Sequence, residues 1–238
     1  MNNNTGRVNS FQSLGAVDGP GVRFVIFMQG CPLRCAYCHN PETWGTEGKE
    51  YPVEEIYEKS LRCRPYFGRE GGVTVSGGEP LMQWEFVSEL FQKLNKKGIH
   101  TALDTSGIGS LYGAGEVLKH TDLVLCDLKF VSEETYKKHC GGSLEQVLAF
   151  LRLTEERQIP LWIRHVVVPG LTDTWDSVSK LAVMAGSFTN LEKLELLPFR
   201  KLCVGKYDAL GIPFPLADCE ECPDETIREL YERIEHDL

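Results

Sequence analysis

The chain has 238 residues, 42% of them hydrophobic and 25% charged, which is enough for one large α/β domain with a substantial core. Its 34 acidic against 25 basic side chains give a formal net charge of -9, which argues against a nucleic-acid partner gripped through its phosphates and favours small molecules or a protein. The polar start lacks the apolar stretch of a signal peptide and no transmembrane-length apolar run follows, so a cytosolic protein without a membrane partner is expected.

The first β-rich run, 23–29, leads into Gly30-Cys31-Pro32-Leu33-Arg34-Cys35-Ala36-Tyr37-Cys38-His39-Asn40. Cys31, Cys35 and Cys38 form a Cys-x3-Cys-x2-Cys array with no fourth cysteine close by. Nine cysteines in a reducing compartment serve metals or chemistry more readily than structural disulfides. Zinc would need a fourth ligand, and His39 directly adjoins Cys38, where its ring is poorly placed to reach the same ion. An iron–sulfur cluster, normally held by four thiolates, would keep one iron open to a chelating small molecule. Further β-rich runs fall at 73–76, 100–104, 123–129, 161–168 and 193–197, with helical spacing at 83–97, 144–158, 176–185 and 224–238. Strands alternating with helices predict a parallel sheet with right-handed crossovers, and six such units predict a partial (β/α)6 barrel. One domain spanning 1–238 is expected, with 203–223 an irregular loop before the last helix.

Barrel chemistry sits at the C-terminal ends of strands. Polar groups follow each predicted strand there: Ser76-Gly77-Gly78-Glu79-Pro80, Asp104-Thr105-Ser106-Gly107, Asp127-Leu128-Lys129, Arg164, and Pro198-Phe199-Arg200. Each has a plain reading as well. Gly77-Gly78 suits a tight strand-to-helix turn, Asp104 a helix cap, Lys129 a solvated lysine, Arg164 a strand-end salt bridge and Tyr37 simple packing. Asp18-Gly19 suits an ordinary turn. Cys219 and Cys222 could be half of a metal site with Cys203, but no complete ligand set is visible, so solvated loop thiols are expected.

The cysteine array, with its aromatic at Tyr37, resembles the signature of the radical S-adenosylmethionine (SAM) superfamily, and 76–80 resembles its second motif. Within it, Asp18-Gly19-Pro20-Gly21-Val22-Arg23 and Cys38-His39-Asn40-Pro41-Glu42 are similar to the glycyl-radical-enzyme activases. Stretches 38–44, 100–107, 121–129, 161–170 and 194–198 are similar to the branch acting on pyruvate formate-lyase. The likeness runs from about residue 6 to 206. It implies a TIM-like partial barrel of the radical SAM type, with Cys31, Cys35 and Cys38 holding a 4Fe-4S cluster that cleaves SAM reductively. The resulting 5′-deoxyadenosyl radical would take a hydrogen from a glycine of the partner.

By the same resemblance Tyr37, Cys38, His39, Gly77, Gly78, Glu79, Asp127, Leu128, Lys129 and Arg200 would meet SAM. Asp104, Thr105, the Leu125 backbone and Asp127 would hold a monovalent cation, and Asp18 and Arg164 would position the partner's glycine loop. Arg200 stands where the family usually has histidine, and Cys203 where it commonly has glycine. Only Cys63 lies between the array and Gly77, without the extra cysteine clusters of many relatives. A monomer reduced by flavodoxin or ferredoxin is therefore expected, with pyruvate formate-lyase or a related glycyl radical enzyme as partner. A radical SAM enzyme acting on a small molecule, or a noncatalytic zinc or redox module, shares the cysteines but gives no reason for the rim motifs.

Overall fold

The computed structural model describes residues 4–237; residues 1–3, and Leu238 at the end of the last expected helix, lie outside the described residues. In chain order the elements are β1 (Thr5–Gly15), β2 (Arg23–Met28), β3 (Lys49–Pro52), α1 (Val53–Cys63), β4 (Gly72–Gly77), α2 (Trp84–Asn95), β5 (His100–Thr105) and α3 (Leu111–Leu118). They continue with β6 (Leu123–Asp127), α4 (Glu133–Cys140), α5 (Leu144–Glu156), β7 (Leu161–Val167), α6 (Trp175–Gly186), β8 (Leu191–Pro198), α7 (Val204–Leu210) and α8 (Asp224–Asp237). The strands form one eight-stranded sheet in the order β3-β1-β2-β4-β5-β6-β7-β8. From β2 to β8 every neighbouring pair is parallel, whereas β1 is antiparallel to β2 and β3. The sheet does not close, as a partial barrel requires.

All six expected strands are present, with ends shifted by at most two residues. In β2, β4, β5 and β6 the side chains are buried on both faces, as crossover helices demand of parallel strands, and so they read as largely apolar runs, whereas β7 alternates and β8 is mostly half-buried. The helices α1 and α3 were missed although they bury side chains; the other elements missed lack that signal. β1 is mostly exposed, β3 is four residues long and exposed, and α4 buries only Tyr136 and Cys140 in eight residues. α2 is the opposite case: Phe86, Val87, Leu90, Phe91 and Leu94 are all buried on one stripe. Each such side chain contributes roughly 1.5–3 kcal/mol by leaving water.

Two expectations about the C-terminal region are corrected. Part of the stretch expected to be an irregular loop is the helix α7, because Tyr207 has a core to reach: it is buried and packs on Trp44 and Phe214. Cys222, expected in solvent, is fully buried, and Cys203 nearly so, while Cys219 is partly exposed. Among the described residues no three His, Cys, Asp or Glu side chains converge on a single metal ion. No helix among them is long and apolar enough to cross a membrane.

Candidate functional site

Alternation along strands places side chains two residues apart on one face. Ala102, Leu123 and Leu125 are buried together against Trp162, apart from the main core. One pleat further along the same strands stand Asp104, Asp127 and Arg164, so the apolar patch is a floor and the charged groups are its rim. That rim opens into a cavity of about 260 Å³ at the C-terminal ends of the parallel strands, bounded on its other side by Cys31, Cys35, Cys38, Gly77 and Gly78.

The cysteine loop is held from three directions. Gly30 N–H donates to Thr43 O at 2.8 Å, and Arg34 and Ala36 N–H donate to the carbonyls of Cys140 and His139 at the end of α4. From α7, Lys206 Nζ reaches Asn40 Oδ1 at 2.7 Å and Glu42 Oε1 at 2.6 Å, and Tyr207 OH donates to Cys38 O at 3.3 Å. The loop's geometry therefore does not depend on what it binds. Burial pushes the Cys31 thiol up to about 12 and that of Cys38 upward; a hydrogen bond with Cys140, then burial, does the same to Cys35. Metal would have to displace these protons. The three thiols open onto a shared cavity rather than converging on one point. That suits a polynuclear cluster taking one thiolate per iron better than a single zinc, whose four ligands must meet at ~2.3 Å.

Glycine is required in the Ser76–Pro80 turn for a reason beyond room for a ligand. Gly77 has φ +96°, and a Cβ there would come within 2.5 Å of Met28 N; one on Gly78 would come within 2.3 Å of Gly30 O. The turn lies backbone to backbone on the end of β2, with Gly78 N–H bonded to Met28 O and Glu79 N–H to Gly30 O. Gly77→Ala is expected to cost about 1–3 kcal/mol through the disfavoured backbone conformation. Thermal unfolding checks this, and an unchanged melting temperature would count against it.

Glu79 does not line the cavity. Its fully buried carboxylate accepts from Leu81 N–H at 3.0 Å, Thr105 Oγ1 at 2.5 Å, Ser106 N–H at 2.9 Å and Ser106 Oγ at 2.6 Å. It ties the glycine turn to the end of β5. Burial raises its pKa and the four donors oppose that.

Charges on the rim balance. Arg164 bridges Asp104 and Asp127, with Nε 3.0 Å from Asp127 Oδ1, while Lys129 Nζ lies 3.2 Å from Asp127 Oδ2 and Ser76 Oγ 2.6 Å from Asp104 Oδ2. Burial pushes the Asp127 carboxyl up, but Arg164 and Lys129 outweigh it and hold it at about 2. The Asp104 carboxyl is raised, burial exceeding the pull of Arg164. Of the residues expected to share a cation, Asp104 and Asp127 already have Arg164 between them, Thr105 donates to Glu79, and the Leu125 side chain belongs to the floor.

Asp18 lines the cavity with a buried Oδ2 that lacks a partner, and burial raises its pKa. Its turn is fixed from beneath by Thr74, whose hydroxyl donates to Asp18 O at 2.7 Å, and by the wholly buried Arg23. Arg23 donates to Thr74 Oγ1 at 2.9 Å and Val73 O at 2.7 Å. Burial lowers its pKa to about 10, which leaves it charged at neutral pH.

Tyr37 and His39 reach the cavity, Tyr37 with its hydroxyl on Lys129 O at 3.2 Å and His39 with Nε2 2.8 Å from Arg200 O. Leu128 and Arg200 do not line it. The Leu128 main chain is spent on Arg164 O and His165, and the Arg200 guanidinium turns away to Cys222 O and Asp224. Phe27, Leu33, Thr43, Val166 and Leu197 line the cavity too without having been singled out, as do Asn40, Ser76 and Ser106 from within the loop and rim motifs. Val166 was findable, two residues beyond Arg164 on the same strand face.

His165 Nδ1 is 2.6 Å from Leu128 O, so Nδ1 carries the proton, and Nε2 is buried without a partner. Burial lowers its pKa from 6.5 to about 4. The unfolded chain then binds a proton that the folded one refuses, so stability is full above 6.5 and falls as pH drops toward 4. The loss is about 3 kcal/mol at one pKa unit per 1.36 kcal/mol. Denaturant unfolding of wild type and His165→Phe between pH 7 and 4 should show that the slope belongs to this ring; an identical slope in both would refute it.

The sequence model described as the radical SAM superfamily matches residues 25–181. The chain is 47% identical over 228 residues to the pyruvate formate-lyase-activating enzyme of Clostridium pasteurianum, covering 94% of this chain and 95% of that protein. It is 42% identical over 239 residues to the enzyme of the same name from Staphylococcus epidermidis, covering 96% and 95%. In fold it is similar to a radical SAM methyltransferase from Sphaerobacter thermophilus, with a TM-score of 0.65 at 15% identity over 90% of this chain and 64% of that one.

Proposed function

We infer the function from one premise: this chain belongs to the radical SAM superfamily. It activates pyruvate formate-lyase by generating a glycyl radical on it. When bound, a 4Fe-4S cluster with SAM supplies the one-electron cleavage that yields methionine and the 5′-deoxyadenosyl radical able to take a glycine hydrogen. The observation that carries this reading is the convergence of three thiols outside any disulfide, a close-packed glycine turn and a charge-balanced rim on one cavity.

Cys31, Cys35 and Cys38 would hold the cluster. Gly77 and Gly78 offer main chain rather than side chains beside them, so an extended methionine backbone can lie close. Lys129 would meet the negative groups of the bound nucleoside amino acid, its ammonium held by Asp127. His39 and Tyr37, on either side of Cys38, are positioned for the adenine. On the same cavity, the Asp18 carboxyl, whose buried Oδ2 lacks a partner, and the Arg164 guanidinium would seat the partner's glycine loop. A monovalent cation at Asp104, Thr105, the Leu125 carbonyl and Asp127 would replace the charge that Arg164 now supplies, freeing Arg164 for that loop. The nine free thiols suit the cytosol. With no second cluster motif in the chain, the electron would come to this monomer from flavodoxin or ferredoxin.

The test is anaerobic reconstitution with iron, sulfide, SAM and a low-potential reductant, followed by addition of pyruvate formate-lyase. A glycyl radical signal on the partner by electron paramagnetic resonance is expected. Cleavage of SAM without that signal would instead point to a different substrate.

A further inference from the structure

α4 ends in His139-Cys140-Gly141, and a helix end leaves carbonyls without partners. Gly141, at φ +70°, turns the chain away and donates to Lys137 O. The last two carbonyls of the helix are taken by the cysteine loop: Ala36 N–H donates to His139 O and Arg34 N–H to Cys140 O, both at 2.8 Å. These two bonds bracket Cys35 and set it against the helix end. Cys35 and Cys140 are thereby brought side by side, both buried, at 7% and 0% exposure, and the Cys140 thiol pushes that of Cys35 upward. Cys140 does not line the cavity and meets the cysteine loop at Arg34 N–H and beside Cys35.

We propose that Cys140 is a positioning residue for the cluster, its S–H donating to Cys35 Sγ once that sulfur is an iron-bound thiolate, and that this contact makes the cluster easier to reduce. The inference rests on the cluster reading given above. A donor aimed at a ligand sulfur stabilises the more negative, reduced state and so raises the reduction potential. The contact is durable because the main-chain clamp, not the thiols, fixes the approach.

Wild type, Cys140→Ala and Cys140→Ser are reconstituted without oxygen, and their iron and sulfide contents are measured. The reduced cluster is then titrated against potential by electron paramagnetic resonance, with neither SAM nor partner present. All three should load alike. Cys140→Ala should disfavour the reduced form about tenfold, which for one electron is about 59 mV, and Cys140→Ser, which keeps a donor, should recover most of that shift. A loaded Cys140→Ala protein with the wild-type potential overturns the proposal. So does an equal shift in both variants, which marks packing, or failure of both to load, which marks a purely structural residue. Wild type that loads no 4Fe-4S cluster overturns the cluster reading itself, and the metal analysis separates that case.

Discussion

Cys35→Ala protein, reconstituted anaerobically, is expected to fold normally yet to bind no 4Fe-4S cluster and to cleave no SAM. The fold should survive because the loop is held by its main chain and neighbours: Arg34, Ala36 and Gly30 N–H groups, the Lys206 ammonium and the Tyr207 hydroxyl. None of those contacts uses a cysteine thiol. The chemistry should not survive, since the cluster is the electron source and its loss removes the whole acceleration, ~10⁶-fold or more. Cys31→Ala and Cys38→Ala should behave alike. Because Cys140 lies against Cys35, the double variant Cys35→Ala/Cys140→Ala is the necessary companion, excluding a substitute ligand. Circular dichroism, iron and sulfide content and methionine release are the readouts. A double variant that still cleaves SAM would falsify the assignment of these cysteines.

The second large effect is expected at Arg164. Asp104 and Asp127 are mostly buried, at 9% and 30% side-chain exposure, and Arg164 is the cation they share, itself at 11%. Arg164→Leu leaves two carboxylates with Lys129 alone. Removing one partner of a buried ion pair costs roughly 3–5 kcal/mol, a large part of a total stability of about 5–15 kcal/mol. Urea unfolding should show this loss, and Arg164→Lys should recover only part, because an ammonium lacks the fork that reaches both carboxylates. Adding Asp104→Asn to Arg164→Leu should also recover part by removing the surplus charge.

The deficit of Arg164→Leu depends on pH in a definite sense. Asp104 already has a raised carboxyl in the wild type, and losing Arg164 raises it further. The unfolded chain then releases its proton near the ordinary carboxylate value while the folded chain keeps it, so stability falls as pH rises until the folded carboxyl ionises. The variant should thus lie closer to wild type at pH 4 than at pH 7. A stability within about 1 kcal/mol of wild type at pH 7, the range of a screened surface pair, would show that the rim charges are solvated rather than interdependent.

Much of this could be read from local order in the chain. The central strands, the cysteine array and the rim motifs were legible because buried parallel strands read as apolar runs, and because ligand spacing within a loop is a property of a few consecutive residues. Asp104, Asp127 and Arg164 were placed on one rim because each falls at the C-terminal end of an expected parallel strand. Of the elements that escaped, β1, β3 and α4 bury little of their length, whereas α1 and α3 do bury side chains in the core and went unrecognised.

What required the folded chain was every relation between residues distant in sequence. Glu79 looked like a cofactor contact and is a buried tie between two rim loops; Arg200 looked like a replacement ligand and faces Asp224. Arg23 passed as part of a turn motif and is a buried strut, and Cys140 meets Cys35 from a helix 105 positions along the chain. The sequence by itself determined which groups exist and which strand faces they share, since the two-residue pleat is local. Only the order of strands in the sheet and the docking of helix ends on loops decided which of those groups meet, because such contacts are selected by the packing of the whole core.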